Sequence, residues 1–324
     1  MYIFNDPKEF FEPLYQTKVK IFPWEFELLH TKTLRRLKHL SHYGTGSFIT
    51  TVKHSRFEHT IGVFTVIATF FPDEEELRIA ALLHDIGHLP FSHAVEKTLS
   101  FNHHQLTEQY IKEIEVASIL DKYGFSADRV IALLNDNSPL SHQTPYLSAD
   151  HFDSFMRDAY MNGKSKEHPA EVFKRISFQG NYIEADLQTS RTIMHSIHAD
   201  HANFLSPVMV CLDALLAKAI TIYAAETEVE LGVIQRLVNS ELIQLLREVK
   251  IDRITNILDT IMYNPERLSV YPVPGNELDE IRVVKIYDKT PLVDGAPLTA
   301  FCEESQVLMG EIRAMKKTYY FGLD

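Results

Sequence analysis

Two histidines and two aspartates in three separate segments of this chain have side chains that bind transition metals. They are His59, the adjacent pair His84 and Asp85, and Asp150. The pair follows two leucines at the end of an apolar stretch, where burying ionisable groups is costly unless a partner compensates them. A divalent cation would provide that compensation. The four residues therefore predict a metal-dependent hydrolase.

Each of these residues also has a simpler explanation when it is taken alone. His59 shares an apolar helix stripe with Val63 and Val66, which is typical of a core histidine with protein partners. His84 and Asp85 are equally consistent with a helix C-terminus, where a histidine charge is favourable. The ordered set of four favours a metal, because imidazole and carboxylate suit Mn, Fe, Co, Ni and Zn ions. Such a set leaves positions open for water and substrate, and the cation activates the water and polarises a phosphoryl oxygen.

The composition excludes several other classes of protein. The chain has 324 residues, 45% of them apolar, and a net charge of −12, which argues against an extended nucleic-acid surface but not against a local basic pocket. Its two cysteines, Cys211 and Cys302, are far apart and indicate a reducing compartment. We see no secretory signal and no apolar stretch of the roughly 20 residues that a membrane span needs. We therefore expect a cytoplasmic protein with no membrane partner.

The ordered set of ligands resembles the four-part signature of the HD superfamily of metal-dependent phosphohydrolases. The run from His84 to His93 (HDIGHLPFSH) and the segments that begin at Arg56 and Asp150 look like its deoxynucleoside triphosphate triphosphohydrolase branch. The resemblance covers about residues 30–165 and fades afterwards. It implies an HD-type helical bundle, one divalent metal ion per site (Mn, Fe, Co, Ni, Mg or Zn), a small-molecule nucleotide substrate and a homo-oligomer.

The resemblance also implies roles for residues around the metal. Arg56 matches an arginine that contacts the substrate phosphate, and its guanidinium can form bidentate hydrogen bonds to phosphoryl oxygens. His103 matches a histidine that handles a proton at the leaving oxygen, and histidine titrates in the required range. His88 matches a second polar group near the phosphate, and Glu96 an acid that orients a histidine. The alternatives are a surface ion pair between Arg56 and Glu58, and structural histidines held by the backbone.

The residues that the resemblance places near the sugar differ in part from those of the family branch. Asp158 matches a sugar contact, although the helix at 148–160 also fits an amphipathic surface helix in which Arg157 and Asp158 form an ion pair. His42 stands where the branch has glutamine, and Ser154 where it has tyrosine beside the sugar. We take His42, Ser154 and Asp158 as substrate-binding. The smaller serine would leave room for a larger or differently shaped substrate.

The predicted fold is mainly α, with an HD-domain helical bundle and a small α+β C-terminal lobe. Apolar periodicity and turn signals predict helices at 23–42, 55–71, 73–85, 104–120, 126–136, 148–161, 206–226 and 231–248. Beyond them we predict a strand at 281–287, a turn at 293–297, a short helix at 311–316 and a strand at 318–321. The predicted units are a metal-binding core (1–165), a helical extension that completes the pocket (166–262) and the lobe (263–324).

These observations predict a phosphohydrolase that attacks a (deoxy)nucleoside triphosphate at the α-phosphorus. Basic residues that point into the pocket would favour a triphosphate, and the candidates are Arg35, Arg36, Lys38 and Lys53. Two alternatives remain open: a nucleoside monophosphatase or phosphodiesterase of the same superfamily, and a catalytically silent regulatory HD protein. A third is a metal-bound assembly protein whose C-terminal lobe recruits a partner.

Overall fold

A computed structural model of the chain describes residues 8–99, 101–227 and 231–324. The α-helices in these ranges are α1 (Pro23–Leu29), α2 (Lys32–Arg35), α3 (Arg56–Phe70), α4 (Glu75–Leu83), α5 (Ser92–Leu99), α6 (His103–Ile111), α7 (Ile114–Tyr123), α8 (Ala127–Asn135), α9 (Ala149–Met161), α10 (Pro169–Phe173), α11 (Leu187–Phe204), α12 (Pro207–Glu226), α13 (Asn239–Glu248), α14 (Asp252–Tyr263) and α15 (Glu303–Ala314). The strands are β1 (Glu9–Glu12), β2 (Thr17–Lys20), β3 (Ile176–Gln179), β4 (Tyr182–Ala185), β5 (Leu268–Tyr271), β6 (Asp279–Arg282), β7 (Leu292–Val293), β8 (Ala296–Pro297) and β9 (Thr318–Leu323). The fold is mainly α, as predicted.

The central helix of the fold is α3, which packs between α4 and α9. Ser55 begins it with a capping box: the Glu58 N–H donates to the Ser55 hydroxyl at 3.3 Å, and the Ser55 N–H donates to the Glu58 carboxylate at 2.7 Å. Its side chains are buried on nearly every side, as expected for a helix that is apolar all round. The helix predicted at 55–71 is therefore confirmed. It carries His59 into the middle of the bundle.

The single helix predicted at 23–42 is wrong. The structure divides it into α1, α2 and a 3₁₀ turn at Arg36–His39. The Thr31 hydroxyl accepts a hydrogen bond from the Leu34 N–H and begins α2. A carboxylate from α7, that of Glu115, accepts hydrogen bonds from the N–H groups of Lys32 and Thr33. The break therefore depends on a distant side chain.

Other predicted boundaries need similar corrections. The helix predicted at 104–120 is divided into α6 and α7, and that at 231–248 into a 3₁₀ helix (Leu231–Arg236) and α13. Only the first part of the strand predicted at 281–287 is a strand in the structure, where it belongs to β6. The short helix predicted at 311–316 is the end of α15. The turn at 293–297 and the strand at 318–321 are confirmed. Asp294 and Gly295 join β7 to β8 with φ angles of 49° and 76°, which suits a hairpin turn with positive φ at both central residues.

Three small sheets accompany the helices. The strand orders are β1-β2, β3-β4-β7-β8 and β5-β9-β6. In the second sheet β4 pairs in parallel with β7, with Glu184 opposite Leu292. In the third, β9 lies between two antiparallel neighbours. The C-terminal strands thus join a sheet that begins at residue 176.

Helix α12 is long and apolar enough to cross a membrane by length and composition, with a mean hydropathy of 1.8 over its best window. This differs from the expectation that no stretch would reach that length. Half of the window is buried within the protein. The helix packs against α5, α14 and the 3₁₀ helix at Gly44–Phe48. We interpret α12 as a core helix, since a helix that is apolar all round occurs in protein cores as well as in membranes.

Candidate metal centre and active site

The structure brings the four predicted metal ligands together. His59 lies on α3, His84 and Asp85 follow the end of α4, and Asp150 lies in the first turn of α9. Nε2 of His59 is 3.2 Å from Oδ1 of Asp150 and 3.4 Å from Nε2 of His84, which is 3.5 Å from Oδ1 of Asp85. Two ligands that each lie about 2.1 Å from one ion are roughly 3.0–3.4 Å apart. His59, His84 and Asp150 each have a ligand atom within 4.8 Å of the other two, a spacing that one cation could bridge, and Asp85 lies beside His84.

The second ring nitrogen of each histidine has a protein partner. Nδ1 of His84 donates to the carbonyl oxygen of Ala81 at 2.9 Å, and Nδ1 of His59 donates to the Asp153 carboxylate at 2.8 Å. Such hydrogen bonds fix the orientation of the ring and leave Nε2 available for a metal. The Asp150 side chain is 28% exposed, so this ligand is open to solvent. The donor set and its orientation fit a divalent cation.

Asp153 is a supporting residue that the sequence analysis did not single out. Besides His59, its carboxylate accepts hydrogen bonds from the Tyr15 hydroxyl at 2.8 Å and from Arg157 at 2.9 and 3.0 Å. Arg157 in turn donates to Glu12. Asp153 is three residues after Asp150 and shares its helix face, and this spacing is the signal that could have identified it. The polar face of α9 is buried, so the solvated surface helix and the Arg157–Asp158 pair are both wrong.

The charges around the centre favour a bound cation. Burial opposes the ionised form of Asp85, but His88, His84 and Arg56 outweigh it and hold its pKa well below the usual range. Burial likewise favours a neutral His59, yet its hydrogen bonds to Asp150 and Asp153 raise its pKa to about 10. The carboxylates thus create a site that stabilises positive charge.

Arg56 faces this site. One of its terminal nitrogens donates to Oδ2 of Asp85 at 3.0 Å. Glu58 is engaged in the cap of α3, so the alternative pairing of Arg56 with Glu58 is not what the structure shows. The guanidinium is therefore placed beside a metal ligand, where it could bind phosphoryl oxygens.

The predicted proton-handling residues form a second group beside Asp85. Nε2 of His88 is 3.1 Å from Oδ1 of Asp85, and its Nδ1 is 2.7 Å from the Ser92 hydroxyl. The His103 Nδ1 lies 3.0 Å from each carboxylate oxygen of Glu96. The rings of His88 and His103 stack with centroids 4.1 Å apart. Because the His103 side chain is 20% exposed and His88 is buried, His103 is the imidazole that a substrate can reach.

The predicted sugar residues lie together on the other side of His59. Nε2 of His42 is 3.3 Å from Oδ2 of Asp158 and 3.4 Å from the Ser154 hydroxyl. His54, which the sequence analysis did not identify, places Nε2 3.2 Å from Oδ1 of Asp158. Burial raises the pKa of Asp158 to about 7.

Three of the four basic residues considered as phosphate contacts have other partners, namely Arg35, Arg36 and Lys38. Arg36 donates to the carbonyl oxygen of His88 at 2.7 Å and so braces the turn after the metal pair. Lys38 lies 4.6 Å from the centre of the Phe57 ring, and Lys53 is exposed. These contacts give no support to the inference of a triphosphate from this basic stretch.

A helical bundle that gathers two histidines and two aspartates from α3, α4 and α9 defines a class of metal-binding domain. Residues 56–176 match the HD domain family. This part of the chain is therefore an HD domain.

Several proteins are similar to this chain. The uncharacterized protein YdhJ of Bacillus subtilis is 29% identical over 247 residues, 72% of this chain and 74% of that protein. The metal-dependent phosphohydrolase cns2 of Cordyceps militaris is 31% identical over 145 residues, 43% of this chain and 41% of cns2. The deoxynucleoside triphosphate triphosphohydrolase SAMHD1 homolog of Dictyostelium discoideum is 25% identical over 212 residues, 54% of this chain and 41% of that protein. The chain thus spans less than half of the last two relatives.

Two solved structures share the fold over almost the whole chain. A phosphohydrolase from Bacteroides thetaiotaomicron superposes with a TM-score of 0.75 at 16% identity, covering 98% of this chain and 99% of that one. A hypothetical protein from Aquifex aeolicus superposes with a TM-score of 0.71 at 20% identity, covering 98% and 96%.

Proposed function

We propose that this protein hydrolyses a (deoxy)nucleoside triphosphate at the α-phosphorus and releases inorganic triphosphate. One observation carries the proposal. Asp85 links the candidate metal ligands to both other groups that the reaction needs, since Oδ1 lies 3.1 Å from His88 and Oδ2 lies 3.0 Å from Arg56. A metal site, a phosphate-binding arginine and proton-handling histidines therefore converge on one carboxylate.

Each residue has a role that follows from its contacts. When His59, His84, Asp85 and Asp150 hold a divalent cation, it supplies an activated water and polarises a phosphoryl oxygen. Arg56 binds and orients the phosphate through its guanidinium. Glu96 holds Nδ1 of His103, which leaves Nε2 to donate a proton to the leaving oxygen.

We place the sugar beside His42, Ser154 and Asp158. The His42 ring lies next to the His59 ring, with centroids 4.8 Å apart, so a nucleotide with its phosphate at the metal would have its sugar on this side. The similarity to two proteins named as deoxynucleoside triphosphate triphosphohydrolases supports this choice of substrate. Assembly into a homo-oligomer stays a prediction.

The test is phosphate release from a panel of nucleotides with Mn²⁺, Mg²⁺, Co²⁺ and Ni²⁺, with products resolved by chromatography. We expect triphosphate and a deoxynucleoside. Hydrolysis of monophosphates or diesters alone would replace this proposal with the monophosphatase or phosphodiesterase alternative. No turnover of any nucleotide would favour a silent regulatory protein.

Matched variants separate the metal site from the proton-handling residues. His84→Ala and Asp85→Ala should lose the ion at the candidate metal centre together with turnover. Glu96→Gln should keep the metal and lower kcat by roughly 10²–10⁴-fold, the usual contribution of general acid catalysis. The exposed His39→Ala serves as the control. An unchanged kcat in Glu96→Gln would remove His103 and Glu96 from the mechanism.

A further inference from the structure

A second group of two histidines and one aspartate lies beside the candidate metal centre. His42, His54 and Asp158 each offer one ligand atom, and these atoms all lie within 4.8 Å of one another. Nε2 of His42 is 3.3 Å from one Asp158 oxygen, and Nε2 of His54 is 3.2 Å from the other. Two ligands of one first-row ion are separated by roughly 3.0–3.4 Å. The spacing therefore matches that of the candidate centre at His59.

Most polar atoms of this group are buried and unsatisfied; Nε2 of His42 has a contact with the Ser154 hydroxyl at 3.4 Å. The Asp158 side chain is 1% exposed and that of His54 is fully buried. Among the described residues, no hydrogen-bond partner is found for either ring nitrogen of His54 or for Nδ1 of His42, and the Asp158 carboxylate can hydrogen-bond only to the Asp200 carboxyl group, with which it would share a proton. Buried polar atoms in folded proteins are almost always satisfied. The Asp158 carboxylate and Nε2 of His54 face one another without a hydrogen bond that satisfies them both, which indicates a ligand between them.

Two acidic side chains adjoin at this group. Asp200 of α11 is also buried and lies next to Asp158, so two carboxyl groups adjoin in the interior. Arg157 directly precedes Asp158 in the chain, but its guanidinium donates to Asp153 and Glu12. The carboxyl groups of Asp158 and Asp200 therefore need other partners. Adjacent buried carboxyl groups repel each other when both are ionised, and a bound cation removes that repulsion.

We propose that His42, His54 and Asp158 bind a second divalent cation, separate from the one at His59. Two imidazoles and a carboxylate are ligands that suit Mn, Fe, Co, Ni and Zn. The inference rests on the geometry and burial of these residues and holds whatever the substrate is. If a nucleotide is the substrate, Asp158 then acts on its sugar through the bound ion.

The experiment counts metal ions per chain. The full-length protein is loaded with Mn²⁺, freed of excess metal by gel filtration and analysed by inductively coupled plasma mass spectrometry. We expect two ions per wild-type chain, one in His54→Ala, one in Asp158→Asn and one in His84→Ala. Combining His84→Ala with His54→Ala should remove both. The exposed His39→Ala should keep two.

A measurement of thermal stability distinguishes a variant that has lost the second ion from one that does not fold. In the His84→Ala protein, added Mn²⁺ should still raise the melting temperature, because an ion that binds only the folded state stabilises it. His42→Gln, which keeps a polar side chain of similar size, should reduce this effect together with the second ion. One ion per wild-type chain, lost in His84→Ala, would overturn the proposal. Two ions in a protein that hydrolyses no nucleotide would leave it standing while the proposed function fails.

Discussion

At the scale of single residues, the orientation of the candidate metal ligands depends on groups that do not themselves face the candidate metal centre. Asp153 is the main example. Its carboxylate holds Nδ1 of His59 at 2.8 Å and is itself held by Tyr15 and Arg157. A partner of this kind fixes the ring orientation and raises the basicity of the metal-binding nitrogen.

Asp153→Asn should therefore weaken metal binding without removing a ligand. We expect the affinity for Mn²⁺ to fall by roughly 10–100-fold, the usual effect of losing such a partner. Calorimetric titration of the metal-free protein measures it, with the exposed Asp136→Asn as the matched control. If Asp153→Asn bound Mn²⁺ as tightly as the wild type, the orientation of His59 would not depend on this carboxylate.

The sequence analysis could predict which candidate ligands would lie together but not the partners of those ligands, for a physical reason. His84 and Asp85 are adjacent and follow an apolar helix, so the cost of burying them is visible locally. Tyr15 reaches Asp153 across 138 positions of the chain, and no local pattern encodes that contact. His54 lies close to His59 in sequence, yet its contact with Asp158 is visible only in the structure.

At the scale of elements, Gly87 sets how closely α6 approaches the turn after α4. A Cβ atom at this position would lie 2.3 Å from the carbonyl oxygen of His103 and 2.3 Å from the N–H nitrogen of Thr107. The Gly87 N–H also donates to the Thr107 hydroxyl at 3.0 Å. This close approach places His103 against His88.

Gly87→Ala should push α6 away from the turn. We expect a loss of roughly 1–3 kcal/mol in the free energy of unfolding, as for other overpacked interiors, and a lower kcat, because His103 moves. Urea denaturation and steady-state kinetics measure the two effects. Gly310→Ala in α15 is the control, since its Cβ would meet no atom within 4 Å. Wild-type stability and kcat in Gly87→Ala would contradict this account of the turn.

Helix α2 depends on a charge from another helix. The Glu115 carboxylate accepts hydrogen bonds from the Lys32 N–H at 2.6 Å and from the Thr33 N–H and hydroxyl at 3.1 and 2.6 Å. Burial opposes its ionisation, but these hydrogen bonds outweigh burial and lower its pKa. Because the folded pKa is below the unfolded value, the stabilisation is present at neutral pH and is lost as the pH falls through the folded pKa.

Glu115→Gln should therefore lower the free energy of unfolding by about 1 kcal/mol at pH 7, the usual worth of a helix cap. The difference from the wild type should shrink as the pH is lowered from 5 towards 3, since the carboxylate then becomes protonated. Urea denaturation at several pH values measures it, with the exposed Glu226→Gln as control. An equal loss at every pH would show that the charge of Glu115 is not what stabilises α2.

The contrast between local signals and contacts with distant residues explains which helices were predicted correctly. Helices α3 and α8 begin at serines whose hydroxyls accept from N–H groups of the first turn, so their signals are local. The break between α1 and α2 depends partly on Glu115, which lies 83 positions from Lys32. Hydrophobic periodicity alone therefore predicts two such helices as one continuous helix.

At the scale of the whole molecule, residues 263–324 are connected to the helices around the metal centre. Strand β7 pairs with β4, and the buried Lys289 donates to the carbonyl oxygens of His142 and Thr144 at 2.9 and 2.6 Å. The Tyr287 N–H donates to the His201 ring at 3.0 Å. The change in sequence character near residue 263 could be predicted, but contacts between residues so far apart in the chain could not.

These contacts predict that the chain unfolds in one transition, although chains of this size often show several. Scanning calorimetry should give a single peak, and saturating Mn²⁺ should move the whole peak upward because binding to the folded state stabilises every part that unfolds with it. Lys289→Met should lower the melting temperature of that one peak, since it leaves the carbonyl oxygens of His142 and Thr144 without their donor. Two peaks, of which Mn²⁺ moves only one, would instead make the C-terminal lobe an independent folding unit, so that its contacts with the metal-binding core would not contribute to the stability of the site.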